Sequence, residues 1–349
     1  MTIQQTPDAG SSPAPDAKAP SRKVFEPQKY ALLVAWVALL VIFSILMPQT
    51  FMSTSNFTNM LGSQSVLLIA ALALLTPLRA GDYDLSAAST LTLSAMTTAV
   101  LNVNHDLPIG VAILGGLAVG LLIGFINGWI VVAFEIDPFI VTLGMGTVAT
   151  GLVFGISNSQ TITGLSEGWS DVVVDRSLFG LPNVFFYAFI LCLVIWYIFE
   201  FTPLGQQLLF VGQNREMARL NGVNVEAVRW GSLTVSGLLA GVAGVMYGAT
   251  LGGADPTSGS SFLLPAFAAC FLGSTAFRIG RFNPWGTLVA VYFLITGITG
   301  LQLLGAQNYV QQLFYGGALV FAVVLSRLVR KRQARAAAKA MVLAQRAGN

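Results

Sequence analysis

The chain has 349 residues, of which 55% are hydrophobic and 9% charged, with a net charge of +3 and a mean hydropathy of +0.73. Such a composition excludes a soluble multidomain protein and specifies a polytopic membrane protein. Lys and Arg cluster at the two ends and in a few short connections, which excludes a nucleic-acid surface and leaves them as orientation signals beside apolar segments.

Asp, Glu, Lys and Arg are absent from residues 30–78, 85–105, 107–134, 138–166, 177–199, 230–254, 256–277 and 282–326. A membrane helix needs roughly 20 residues, so each stretch holds one span and the first and last hold two, giving an all-α chain of about ten transmembrane helices. With the N-terminus in the cytoplasm, 17 of the 18 Lys and Arg residues fall inside, and Arg176 alone falls outside. Both termini are therefore expected in the cytoplasm.

Residues 1–29 are polar, contain five prolines and read as a disordered tail without a cleavable leader. Residues 30–326 form the transmembrane domain and 327–349 a basic cytoplasmic tail. The first span runs from Tyr30 to Met47, residues 48–57 read as an outer loop, and the second span runs from about Asn59 to Leu78, ending at Arg79. Gly81-Asp82-Tyr83-Asp84-Leu85-Ser86 follows. Two acids two residues apart suit a cation or a polar solute, and they equally suit capping of the third helix, whose free N–H groups Asp and Ser accept.

The third span ends near Val103, and His105 sits in a short outer turn with no assigned role. Gly115, Gly116, Gly120 and Gly124 give the fourth span, Pro108 to Phe134, a small face for close packing; its polar Asn127 suits an interhelical hydrogen bond or the lining of a solute path. Pro138 opens the fifth span, whose Thr142, Gly144, Gly146 and Thr147 make a small polar face fit to line a pathway. The longest external segment, 157–183, is an acidic loop and a candidate docking surface.

After the sixth span, Val184 to Phe201, comes the long basic connection 202–229. Within it Asn214 to Asn221 is rich in helix formers, and Met217 and Leu220 lie three apart, which predicts a short helix with one apolar stripe. The seventh span is Trp230 to Gly252. The eighth is short, with a polar 255–261 before an apolar 262–272, as in broken or re-entrant helices. Pro284 to Leu304 and Tyr309 to Leu325 complete the set. Spans two to five and seven to ten form two groups of opposite orientation, an arrangement that permits an inverted repeat. Cys192 and Cys270 lie in apolar spans and read as buried free thiols.

No Lys occurs between Lys29 and Lys331 and no Gly-Lys pair exists, so the chain has no phosphate-binding P-loop. A lone His and two separate Cys supply no catalytic or metal constellation. The chain is read as a non-enzyme without a cofactor of its own; if it moves a solute uphill, the energy is expected to enter from another protein through the cytoplasmic surface.

Four segments resemble the permease subunit of ribose-type ATP-binding cassette importers. They are Gly81 to Ser86; Ile126-Asn127-Gly128 with Asp137 to Gly144; Gly212-x-Asn214-x-x-x-Ala218-Arg219-x-x-Gly222-x-Asn224-Val225; and Gly280-Arg281-Phe282-x-x-Trp285-Gly286-Thr287. The resemblance implies a bacterial inner-membrane permease that pairs with a second copy or a paralogue and receives a sugar from an external binding protein. It also implies that a cytoplasmic ATPase, which binds the ATP, docks on Gly212, Asn214, Glu216, Ala218, Arg219 and Gly222. The pathway is expected along Asn127, Phe139 and Thr142, with Asp84 near its end. The chain departs from the family at Asp82 and Tyr83, where glycine and an aliphatic residue are commoner, and at Met217 and Asn221, where small residues are. An ion-gradient carrier using Asp82 and Asp84, and a non-transporting scaffold, are the competing readings.

Overall fold

The structure, a computed structural model, describes residues 27–325 and Leu328. Apart from residues 27–29 and Leu328, the terminal tails expected at 1–29 and 327–349 lie outside the described residues.

The helices run in chain order as α1 (Ala31–Leu46), α2 (Thr54–Ser63), α3 (Ser65–Ala80), α4 (Ala87–Ala99), α5 (Ile109–Ala133), α6 (Pro138–Ser157) and α7 (Glu167–Val174). They continue as α8 (Asn183–Phe201), α9 (Pro203–Gln213), α10 (Arg215–Leu220), α11 (Val225–Leu251), α12 (Ser260–Gly273), α13 (Pro284–Leu303) and α14 (Tyr309–Leu325). Among the described residues six helical segments are long and apolar enough to cross a membrane, with α2 and α3 counting as one 27-residue segment. The expected first, eighth and tenth spans are shorter apolar helices. The third is a 13-residue α4 prolonged by a five-residue π turn, Val100–Asn104.

Side-chain caps set many of the starts. Asp137 accepts the Phe139 N–H at 2.8 Å, with Pro138 in the first turn of α6. Asn283 accepts the Gly286 N–H at 2.7 Å and Asn224 that of Ala227 at 2.9 Å. The second span starts at Thr54, inside the stretch read as an outer loop, because Ser53 accepts the Asn56 N–H and caps α2. Residues 157–183 hold more order than a loop. They contain α7 and β1 (Ile162–Thr163), which pairs antiparallel with β2 (Gly253–Ala254).

Helix α3 is the axis of the bundle, with every residue from Ser65 to Ala80 buried. A helix that is apolar all round is sealed by neighbours on all sides, here α8, α9, α11, α12 and α13. The most extensive packing is between α5 and α11. A Cβ at Gly237 would stand 2.4 Å from the Gly120 carbonyl oxygen, and one at Gly124 2.5 Å from that of Leu233, so the two backbones touch and only glycine fits. The spacing of the α5 glycines announced this contact.

The two halves share a pattern. The segment Thr54–Ala80 and helix α11 each have 27 residues. Both end on a left-handed glycine, Gly81 at φ +81° and Gly252 at φ +65°, followed by an acidic loop and a short helix of 13 or 14 residues.

Candidate functional site

Three features stand out: a solvent-facing short helix in the 202–229 connection, a buried polar knot at the turn between α3 and α4, and a cavity between α4, α6 and α12.

The short helix is α10. Asn214 is its N-cap, accepting the Met217 N–H at 3.0 Å. Its end is closed by Gly222 at φ +79°, whose neighbour Val223 donates its N–H to the Ala218 carbonyl at 3.0 Å; only glycine adopts that conformation without strain. Ala218 is fully buried against Val211 of α9 and Val225 of α11, so one side of α10 is cemented to the protein. The other side presents Met217, 49% exposed, and Leu220, 77% exposed, to the surroundings. Glu216 is exposed in the first turn, and Arg219 pairs with Glu226 at the start of α11. Gly212 sits where α9 meets the end of α3: a Cβ there would lie 2.1 Å from the Arg79 carbonyl oxygen.

Arg79 itself is buried and donates to the carbonyls of Phe199 (3.0 Å), Gly205 (3.2 Å) and Phe282 (3.4 Å), with its guanidinium over the Phe199 ring. It ties the end of α3 to α8, α9 and the loop before α13.

The knot lies in the break between α3 and α4. Asp84 is fully buried. Its Oδ1 accepts the Ser86 N–H (3.0 Å) and hydroxyl (2.6 Å), and its Oδ2 accepts the Ser236 hydroxyl of α11 (2.7 Å). The Asn127 side chain of α5 donates to Ser86 Oγ at 2.8 Å, and Thr142 Oγ1 of α6 accepts the Leu85 N–H at 3.0 Å while donating to the Pro138 carbonyl. Three of the expected pathway residues are thus fully buried around the same turn, Asp84 and Asn127 joined through Ser86 and Thr142 bonded to the adjoining backbone; Phe139 stands apart, 48% exposed on the first turn of α6. Asp84 accepts the Ser86 N–H in the turn that leads into α4, whereas Ser86, the N-cap residue, makes no side-chain cap.

Asp82 does not cap. Its side chain is 0% exposed and is gripped by two arginines: Arg215 Nη2 at 2.5 Å from Oδ1, and Arg229 with Nε 2.8 Å from Oδ2 and Nη2 3.2 Å from Oδ1. No sequence rule pairs residues so far apart, 133 and 147 positions along the chain.

Beside the knot, a cavity of about 460 Å³ opens between α4, α6 and the start of α12, with Ser89, Thr92, Thr147, Thr150, Thr257 and Ser260 on its wall. Thr92, Thr147, Thr150 and Ser260 hydroxyls donate to their own helix or turn carbonyls, leaving oxygen lone pairs for a donor in the cavity. Gly146 and Thr147 belong to the polar face noted in the sequence; the α4 hydroxyls do not, because an alternation of Ala, Ser and Thr also reads as plain helix packing. At the rim, hydrogen bonds from the Thr257 hydroxyl, the Thr161 hydroxyl and the Thr257 N–H hold the Asp255 carboxyl below its ordinary value.

Comparison with known proteins places this geometry in context. Residues 56–323 match the family model described as "Branched-chain amino acid transport system / permease component". The chain is 30% identical over 303 residues to the D-allose transport system permease protein AlsC of Escherichia coli K12, covering 87% of this chain and 93% of that protein. It is 31% identical to the galactose/methyl galactoside import permease protein MglC of Salmonella typhimurium (85% and 94% covered). With the ribose import permease protein RbsC of Escherichia coli K12 it shares 32% identity (84% and 92% covered). No solved structure matches.

Proposed function

Because the chain belongs to the family of branched-chain amino acid transport system permease components, we propose that it is the membrane-spanning subunit of an ATP-binding cassette importer for a sugar. The names of its relatives, permeases for allose, galactose and ribose, support the solute class. It is a multi-pass protein of the bacterial inner membrane.

The observation that carries the reading is α10. A six-residue helix with a defined cap at each end, one face cemented through Ala218, and Met217 and Leu220 turned outward is built to fill a cleft in another protein. We assign that cleft to a cytoplasmic ATPase, with Gly212, Asn214, Glu216, Ala218, Arg219 and Gly222 forming or shaping the docking surface. The connection 202–229 is then cytoplasmic, as are both termini. Ten spans follow from counting α1, α2–α3, α4, α5, α6, α8, α11, α12, α13 and α14 as one each. The matching lengths and glycine-terminated ends of the segment 54–80 and α11 support an inverted repeat of spans two to five and seven to ten.

The solute path runs along the hydroxyl-lined cavity. An uncharged wall that sets hydroxyls among Leu85, Leu143, Phe154 and Leu263 suits a solute with hydroxyl groups and an apolar ring face, and a second permease copy or a paralogue closes the open side. A binding protein delivers the solute at the face carrying α7 and the β1–β2 pair. Asp84, Asn127 and Thr142 act from behind the wall: Thr142 accepts the N–H of Leu85, which borders the cavity, while Asp84 and Asn127 hold the adjacent Ser86. Phe139, at the exposed start of α6, lies toward the cytoplasmic exit. We assign the ATP to the partner, since the sequence carries no Gly-Lys pair for a phosphate-binding P-loop. A gradient-driven carrier has less support, since Asp82 is already neutralised by Arg215 and Arg229.

The test is purification of the tagged chain from its native membrane in mild detergent. A stoichiometric cytoplasmic ATPase is expected to co-elute, and recovery of the folded chain alone would refute the reading.

A further inference from the structure

The grip on Asp82 is not explained by docking or by solute recognition. A buried carboxylate needs compensating charge, and a single bidentate arginine would supply it. Arg229 alone already makes that fork, with Nε and Nη2 on separate oxygens, and is 14% exposed. Arg215 adds a second contact from a different element. It is the first residue of α10, its side chain is 45% exposed, and it also donates to the Gly81 carbonyl at 3.4 Å. Asp82 therefore ties the docking helix to the start of α11 and to the turn that ends α3, at the position where the resembled family more commonly carries glycine.

From Asp82 the chain runs directly into the knot. Two residues on, Asp84 is fixed to Ser236 of α11; three residues on, Leu85 is fixed to Thr142 of α6 and borders the cavity. The end of α9 lies beside this turn, with Gly212 next to Gly81, and α10 beyond it reaches the turn through Arg215. We propose that Asp82 is the joint through which movement of α10 reaches the α3–α4 turn and the wall of the solute cavity, with Arg229 as its fixed arm and Arg215 as its moving arm. The two-armed design keeps the buried carboxylate paired by Arg229 when Arg215 is drawn away with α10, so the turn has two arrangements without a stranded charge in either. Asp82 is a positioning residue: it touches neither solute nor nucleotide.

The inference rests on the ATPase-docking reading, and the experiment separates the two. The full complex of chain and co-purified ATPase is loaded with ADP and vanadate, and amide hydrogen exchange is followed in the segments 214–222 and 81–90. In the unaltered protein both segments are expected to change on nucleotide loading; no response at 214–222 overturns the docking reading and this inference with it. In Asp82→Asn the response at 214–222 is expected to persist while that at 81–90 falls about tenfold, the size of an ordinary coupling between sites, and Asp82→Glu is expected to restore part of it. Arg215→Gln leaves Asp82 paired with Arg229 and so preserves folding; it is expected to show the same selective loss, and it decides the matter should Asp82→Asn fail to assemble. A full response at 81–90 in the variants that assemble overturns the proposal while leaving the docking reading intact.

Discussion

Removal of the outward stripe of α10 by Met217→Ala with Leu220→Ala is the perturbation whose size follows most directly from the structure. Full burial of a Leu or Met side chain contributes about 1.5–3 kcal/mol. Leu220 is 77% exposed and Met217 49% exposed in the isolated chain, so most of the Leu220 gain and about half of the Met217 gain are still to be realised on docking. Truncation of both is expected to weaken each ATPase contact by about 2 kcal/mol, roughly thirtyfold in Kd. Neither side chain belongs to the buried cluster of Val211, Ala218 and Val225, so the chain's own thermal stability in detergent is expected to stay unchanged. The assay is a titration of immobilised permease with purified ATPase, paired with a melting curve of the permease alone. An unchanged Kd refutes the docking assignment; a fall in the permease's own melting temperature shows instead that the stripe supports the fold.

Other substitutions test neighbouring steps. Ala218→Leu forces a larger side chain into a fully buried site and is expected to destabilise the α9–α10–α11 junction by about 1–3 kcal/mol, visible as increased proteolysis within 202–229. Gly222→Pro, placed at φ +79°, combined with Arg219→Glu is expected to abolish uptake while leaving the protein inserted in the membrane. Gly237→Val drives a Cβ to 2.4 Å from a backbone oxygen of α5, which cannot retreat as a side chain would, and is expected to lower melting temperature sharply or prevent accumulation. Thr92→Val with Thr150→Val removes two cavity acceptors at nearly constant volume and is expected to raise the KM for sugar uptake with ATPase docking unaffected.

Much of this organisation was legible along the chain. Charge-free stretches marked the apolar segments because hydrocarbon selects against charge residue by residue, and Pro138, the α5 glycines and the helix formers of 214–221 carry their local meaning with them. The start of the second span was missed by a few residues because Ser53 looks like a loop residue until its capping bond is seen. The β1–β2 pair escaped because its four residues lie about 90 positions apart and hydrogen-bond through the backbone alone. At the site, the helix formers of 214–221 and the spacing of Met217 and Leu220 announced α10, whereas its caps at Asn214 and Gly222 came only with the structure. The pairing of Asp82 with Arg215 and Arg229 was not readable, since it depends on how the end of α3 meets α9 and α11 in space. The cavity wall was legible only on its α6 side, through Gly146 and Thr147; its convergence with α4 and the start of α12 is a matter of packing.

The most direct test is flux. Proteoliposomes containing the chain and its ATPase, supplied with the matching binding protein and radiolabelled D-ribose, D-allose or D-galactose, are compared with and without ATP on the ATPase side, in the presence of ionophores that abolish ion gradients. The account predicts accumulation of at least one sugar that requires ATP and ignores the ionophores; accumulation that persists without ATP and collapses with the ionophores would contradict it.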